Sequence, residues 1–218
     1  ISGLIAILPR DKQQENSSIL REIAALRNGG LWLALSTTVF FAASMFALFT
    51  YIAPLLRDVT GVSPEGVTWT LFLIGLGLTI GNLVGGKLAD WRLGATLAGV
   101  FAAIATTSIA FSYTSRFFIP AEITLFLWAM ASFAAVPALQ VGVVGFGKDA
   151  PNLVSTINIG AFNTGNALGA WVGGVVIDAG FDLTRVPLAA ALMALIGLGA
   201  TALTYLSARG RAALAPAE

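Results

Sequence analysis

Charged residues leave six uncharged intervals in this chain, at 28 to 56, 66 to 86, 93 to 115, 123 to 147, 150 to 177 and 186 to 208, each 21 to 29 residues long. About 20 apolar residues, rising about 1.5 Å each as a helix, cross a hydrocarbon core about 30 Å thick. A membrane barrel would instead show alternating strands of about ten residues, whereas these runs are continuous. Only 11% of the residues are charged and 57% are hydrophobic; a soluble domain carries about 25% charged residues to solvate its surface. The expected fold is an all-α membrane protein with six transmembrane helices, at about 31–56, 67–88, 94–114, 118–146, 153–177 and 187–207. They form a bundle, 31–208, between two preceding segments, 1–9 and 10–30, and a tail, 209–218.

The loop charges orient this bundle. With the first helix running outward, Arg10, Lys12, Arg21, Arg27, Lys87, Arg92, Lys148, Arg209 and Arg211 fall inside, and only Arg57, Arg116 and Arg185 outside. Such a bias in short loops follows the positive-inside rule and places both ends in the cytoplasm. The stretch Ile1 to Leu8 is too short to span and does not begin with Met, so 1–9 reads as the end of a preceding transmembrane helix. In 10–30, Ile19, Leu20, Ile23 and Leu26 recur at helical spacing beside Arg21, Glu22 and Arg27, with Ser17 or Ser18 to start a helix and Gly29 to end it. That is the pattern of an amphipathic linker lying on the cytoplasmic interface.

The chain has no Cys and no His. Disulfides, zinc sites built on those ligands and His-dependent triads are therefore excluded. No cofactor is expected, and a net charge of +1 offers no field for nucleic acid.

A shift of 88 residues superposes Gly77, Gly81, Gly85, Gly86 and Asp90 of the second span on Gly165, Gly169, Gly173, Gly174 and Asp178 of the fifth, with Val84 on Val172. The shared pattern is G-x-x-x-G-x-x-V-G-G-x-x-x-D. Three helices separate the copies, so they run in opposite directions across the membrane. The six spans therefore read as two inverted three-helix repeats, a construction common among secondary transporters.

On a helical wheel of the fifth span, at about 100° per residue, Ser155, Asn158, Phe162 and Asn166 share a side with Gly165, Gly169 and Gly173. Leu153, Ile157, Leu168, Trp171 and Val175 occupy the opposite, lipid-facing side. Asparagine in hydrocarbon needs partners, so the amide face points at protein or a watered cavity. The glycines of both copies suit close helix packing. Asn158 and Asn166 suit either an interhelical bond or contact with a polar substrate. Glu122 is the only acid inside an apolar run; it is open to a proton-linked role, to interfacial solvation, or to a salt bridge with Arg116. Gln140 lies on the same face of the fourth span, but about 27 Å along the axis from Glu122. Pro137 between them suggests a kink, a hinge or a tolerated break.

The turn after the second span reads Gly86-Lys87-Leu88-Ala89-Asp90-Trp91-Arg92-Leu93-Gly94. It serves as a cap with inside-positive charge, or as a latch in which Asp90 meets a helix N-terminus in one conformation only. Its pattern G-x-L-A-D-x-x-x-G resembles the signature loop of the major facilitator superfamily. With a helix end and a linker ahead of it, the match falls on helices seven to twelve of the family, the C-terminal half. The segments Thr50 to Gly61, Gly75 to Asp90 and Asn158 to Gly180 look like the twelve-spanner drug:proton antiporters, in particular the arabinose (sugar) efflux permease-like branch. Ala95 and Thr96 stand where the signature has basic residues.

The resemblance implies a central cavity lined by the first, second, fourth and fifth spans, with the third and sixth peripheral. It also implies a missing N-terminal six-helix half that carries the proton-coupling residues, so no proton site is transferred to this chain.

The expected function is export of a small organic molecule, drug or sugar-like, by proton antiport through alternating access in a bacterial inner membrane. Substrate-cavity candidates are Asn158, Phe162, Asn166, Gln140 and Glu122, and gating-loop candidates are Gly86, Asp90, Arg92 and Gly94. The absence of a G-x-x-x-x-G-K-[ST] loop leaves the proton gradient as the energy source. The alternative is a self-contained six-helix scaffold or channel assembling as a homodimer. An enzyme is not expected, since no nucleophile with a base and no acid cluster lies within the spans.

Overall fold

The computed structural model describes residues 26–148 and 150–213, with side chains as far as Tyr205. The stub 1–9, most of the linker 10–30 and the end of the tail fall outside the described residues. Helix α1 spans Gly29–Phe49. It starts there because the Asn28 side-chain oxygen accepts from the Gly30 N–H at 2.9 Å, satisfying one of the four orphan donors of a helix start. The Asn28 amide also donates to Phe146 O at 2.8 Å. Gly29 therefore opens the first membrane helix and does not end the linker helix, a correction to the sequence reading.

A short helix α2, Ile52–Pro54, passes into a π-helical turn, Leu55–Val59. Helix α3 covers Pro64–Thr114, with Pro64 in its first turn and the Ser63 hydroxyl accepting from the Gly66 N–H at 3.2 Å. Helices α4, Phe118–Phe146, and α5, Pro151–Asp178, follow. A 3₁₀ turn, Leu183–Arg185, leads into α6, Val186–Ala213.

The 51 residues of α3 would extend about 76 Å as a straight rod, far more than one hydrocarbon core of about 30 Å. The helix breaks at Arg92, whose φ of −150° and ψ of 81° leave the helical region. Two arms result, 64–91 and 93–114. The Thr96 hydroxyl donates across the break to Leu88 O at 2.7 Å. The expected loop is thus reduced to one residue. Gly86 lies inside the helix and makes no turn; the glycines with positive φ are Gly61 at 75° and Gly180 at 81°, each closing a helical segment.

Among the described residues, four segments are long and apolar enough to cross a membrane: Gly29–Val59, Pro64–Thr114, Phe118–Phe146 and Leu183–Tyr205. Helix α5 is as long as α4 but less apolar, because Asn152, Asn158, Asn163 and Asn166 interrupt it. Large apolar side chains such as Trp69, Phe72, Leu83, Trp171 and Leu203 are exposed, an arrangement suited to lipid and unsuited to water. The chain is an all-α, multi-pass membrane protein.

The two glycine stripes make reciprocal contacts. Gly77, Gly81 and Gly85 of the first arm of α3 lie against the carbonyls of Phe126, Met130 and Ala134 on α4. Gly165, Gly169 and Gly173 of α5 lie against those of Val39, Ala43 and Ala47 on α1. A Cβ would come to 2.9 Å from Phe126 O at Gly77 and to 2.8 Å from Ala47 N at Gly169, closer to backbone than a side chain tolerates. Small residues at four-residue spacing let the backbones approach this far. Each glycine helix therefore packs on the opening helix of the other triplet, as a two-fold relation between triplets requires.

The triplets also meet through the second arm of α3 and α6, where Gly197 receives the Phe101 ring. Ser44 donates to Ala190 O at 2.7 Å and Ser112 to Thr184 O at 2.7 Å. Phe41, Phe101, Trp128 and Leu48 are wholly buried in the core.

Candidate functional site

Helix α5 buries only Val154, Asn158, Gly165, Gly169 and Gly173, the narrow stripe held mainly by α1. Its remaining circumference is open. Trp171 and Val175 are exposed on the side the wheel assigns to lipid. On another side Thr156, Ile159 and Asn163 are exposed, and this polar edge faces a cavity of about 440 Å³.

The cavity lies between the first arm of α3, α4 and α5. Asn82, Gln140, Asn158 and Asn163 supply its polar groups, and Pro137, Ile159 and Phe162 are among its apolar ones. Among the described residues no charged side chain lines it. Phe162 is steadied from behind by Phe41, with ring centroids 5.7 Å apart. Pro137 sits inside α4 without interrupting it; lacking an N–H, it leaves the Phe133 carbonyl without its helical donor.

A chain of amides ties α4 to α5 at the cavity wall. The Asn158 amide donates to Gln140 Oε1 at 2.9 Å, and Gln140 Nε2 reaches Ser155 Oγ at 3.0 Å. Gln140 is exposed yet held at both ends, so one N–H and one lone pair of its amide remain directed by fixed partners. Asn158 is only 6% exposed, and its Oδ1 is buried without a hydrogen-bond partner. Asn166 Oδ1 is likewise buried and unpaired, and Asn166 does not line the cavity.

Glu122 stands apart from this constellation. Its carboxylate accepts from the buried Thr70 hydroxyl on the first arm of α3. Among the described residues it forms no ion pair, so a bridge to Arg116 is not what holds it.

At the break in α3, Asp90 and Arg92 are exposed. The Arg92 guanidinium lies 5.3 Å from the Trp91 ring centroid. Gly94 follows the break and packs on the Tyr205 ring, which a Cβ would meet at 3.2 Å.

Three of the five expected cavity residues, Gln140, Asn158 and Phe162, come together, while Asn166 and Glu122 do not join them. Asn82 and Asn163 were missed. Asn82 follows Gly81 directly and was eclipsed by the glycine stripe, although an amide inside an uncharged interval was itself a signal. Asn163 lies off the glycine face and so outside the side of the wheel taken as polar.

An amide-lined cavity inside a membrane bundle of exchanged triplets defines a class, that of membrane transport proteins. Comparison with known proteins narrows it. No protein-family profile matches the chain. It is 42% identical over 207 residues to the inner membrane transport protein YdhP of Escherichia coli K12, covering 95% of this chain and 52% of that protein. The uncharacterized MFS-type transporter YtbD of Bacillus subtilis is 32% identical over 79% of this chain and 45% of its own length. The chloramphenicol efflux pump Rv0191 of Mycobacterium tuberculosis is 30% identical over 65% of this chain and 36% of its own length.

The chain thus belongs with the MFS-type, or major facilitator superfamily, transporters. It spans about half the length of the curated relatives it matches. Those relatives are named for transport and not for catalysis.

Proposed function

We propose that the six helical rods, counting the arms of α3 separately, are six membrane spans. They form the C-terminal half of a twelve-helix secondary transporter of a bacterial inner membrane, with both ends of this half in the cytoplasm. The transporter exports a small organic molecule by alternating access in exchange for protons. Asn82, Gln140, Asn158, Asn163 and Phe162 form this half's share of the substrate cavity.

The observation that carries the reading is the uncovered polar edge of α5. Asn82, Gln140 and Asn163 are exposed amides within the helices, whereas exposed hydroxyls elsewhere, such as Thr79 and Thr106, bond back to their own helix at Gly75 O and Ala102 O. Backbone and amide groups are not left bare to lipid, so such an edge faces water or a second protein body. A six-helix half placed over it would enclose a cavity, and half-length matches to whole transporters leave room for that half. With no charge on this wall, the portion of substrate it contacts is uncharged, since a bare charge in such a site lacks compensation.

The test is uptake by inverted vesicles containing the full-length protein, with chloramphenicol as probe and an internal pH dye. Chloramphenicol accumulation coupled to proton efflux from the vesicle, reduced about tenfold by Gln140→Ala, is the expected result; tenfold corresponds to about 1.4 kcal/mol, the scale of one hydrogen bond. Proton-independent accumulation removes antiport, and full activity in Gln140→Ala removes Gln140 from the substrate path.

A further inference from the structure

We propose that the groove between the second arm of α3 and α6, at the level of the Arg92 break, binds an anionic phospholipid with its phosphate on Arg92. The groove holds about 660 Å³ and is distinct from the amide cavity, with which it shares no residue. Among the described residues Arg92 is the only charged one lining it, and it is exposed. Below, Gly94, Ala95, Ala98 and Ala202 make a floor of small groups between Leu198 and Tyr205.

Each feature answers a different part of the lipid. Arg92 to Ala98 spans six residues, about 9 Å along a helix, which lies within one leaflet of a core about 30 Å thick. An apolar groove open to hydrocarbon is filled by an acyl chain, because a void there forfeits contacts on one side. The floor is hollow because Gly94, Ala95, Ala98 and Ala202 carry almost no side chain, so the depression belongs to the sequence and not to one rotamer.

At the mouth, Trp91 is 74% exposed, and its ring holds the guanidinium at 5.3 Å. Tryptophan of this exposure suits the headgroup level, and the cation–π contact restrains Arg92 there without neutralising it. Among the described residues Arg92 has no carboxylate partner, so its planar donors are available to a phosphate. Lys87 and Asp90 are exposed on the same stretch. Together with Arg92 they leave one net positive charge, and so the preference for an anionic headgroup is modest, about fivefold for a single basic residue.

The experiment is native mass spectrometry of the full-length protein released from membranes made with equal phosphatidylglycerol and phosphatidylethanolamine. We expect about fivefold more retained phosphatidylglycerol. Arg92→Gln should remove the preference and Arg92→Lys should keep part of it. Ala98→Phe, which fills the groove, should lower retention of both lipids, with monodisperse elution showing each variant folded. Equal retention of the two lipids, or a preference that survives Arg92→Gln and Ala98→Phe alike, overturns the site. Should Ala98→Phe not fold, the comparison of Arg92→Gln with Arg92→Lys alone decides.

Discussion

Gly81→Ala is the smallest change that tests whether backbone contact, and not side-chain volume, holds the triplets together. The new Cβ would lie 2.8 Å from Met130 C and 2.9 Å from its Cα, where carbon atoms prefer about 3.5–4.0 Å. Backbone cannot rotate aside as a side chain can, so α3 and α4 must part locally by about 1 Å. Overpacking of this kind costs about 1–3 kcal/mol. The gain in helix propensity from Gly to Ala offsets about 1 kcal/mol of that, leaving a net loss of up to about 2 kcal/mol. Gly86→Ala, one residue beyond the stripe, is the matched control: nothing lies within 4 Å of its would-be Cβ, so only the propensity gain remains.

The assay is thermal unfolding of the detergent-solubilised full-length protein, followed by the fraction eluting monodisperse after heating. At about 2–4 °C per kcal/mol, Gly81→Ala should lower Tm by up to about 8 °C, while Gly86→Ala holds or raises it. Gly169→Ala, whose Cβ meets Ala43 O and lies 2.8 Å from Ala47 N, should match Gly81→Ala, being its counterpart in the other triplet. If Gly81→Ala proves as harmless as Gly86→Ala, the close approach of α3 and α4 is not a stability determinant and the reasoning fails.

Glu122→Gln should leave stability within about 0.5 kcal/mol of the parent, because an amide oxygen still accepts from Thr70, whereas Thr70→Val should cost about 1–2 kcal/mol; equal losses in thermal unfolding would show that the charge itself matters. Thr96→Val removes the hydroxyl that bridges the α3 break to Leu88 O at 2.7 Å and should cost about 1 kcal/mol, read as faster amide exchange confined to residues near the break. An exchange pattern unchanged there would mean that the break is held by packing alone.

Most of the architecture was legible because lipid imposes one rule on every span: the backbone satisfies itself and charges stay out. That rule marked the fold as all-helical and membrane-spanning, but not where its helices begin and bend. Gly29 and Gly86 were both read as punctuation, since glycine often is. In the structure Asn28 decides where α1 begins, and Arg92, a residue with no breaker reputation, decides where α3 bends. The cavity was only partly legible for a related reason. The wheel joined glycines and amides into a single polar face, but packing divides it: Gly165, Gly169 and Gly173 turn to α1 and Asn158 turns to Gln140, while Asn163, off that face, lines the cavity. A wheel gives angles within one helix and cannot say which neighbour claims each angle.

The division has a consequence for how the six helices hold together. Inside a bilayer, lipid tails are as apolar as leucine, so helix association rests on close packing and hydrogen bonds. The closest packing here joins helices of different triplets, the first arm of α3 to α4 and α5 to α1. A triplet taken alone would leave its glycine helix without the surface that fits it. Sequence repetition therefore does not mark two independent modules, and the six helices form one body whose halves complete each other. Within that body α5 is fixed to α1 by backbone contact, and to α4 through Gln140, Asn158 and Ser155 and through the apolar cluster that Val143 and Phe146 form with Val154 and Ile157. The α4–α5 wall, which is also the cavity wall, thus rests on side chains, two neutral hydrogen bonds of about 1 kcal/mol each among them, where the α1–α5 seam rests on backbone.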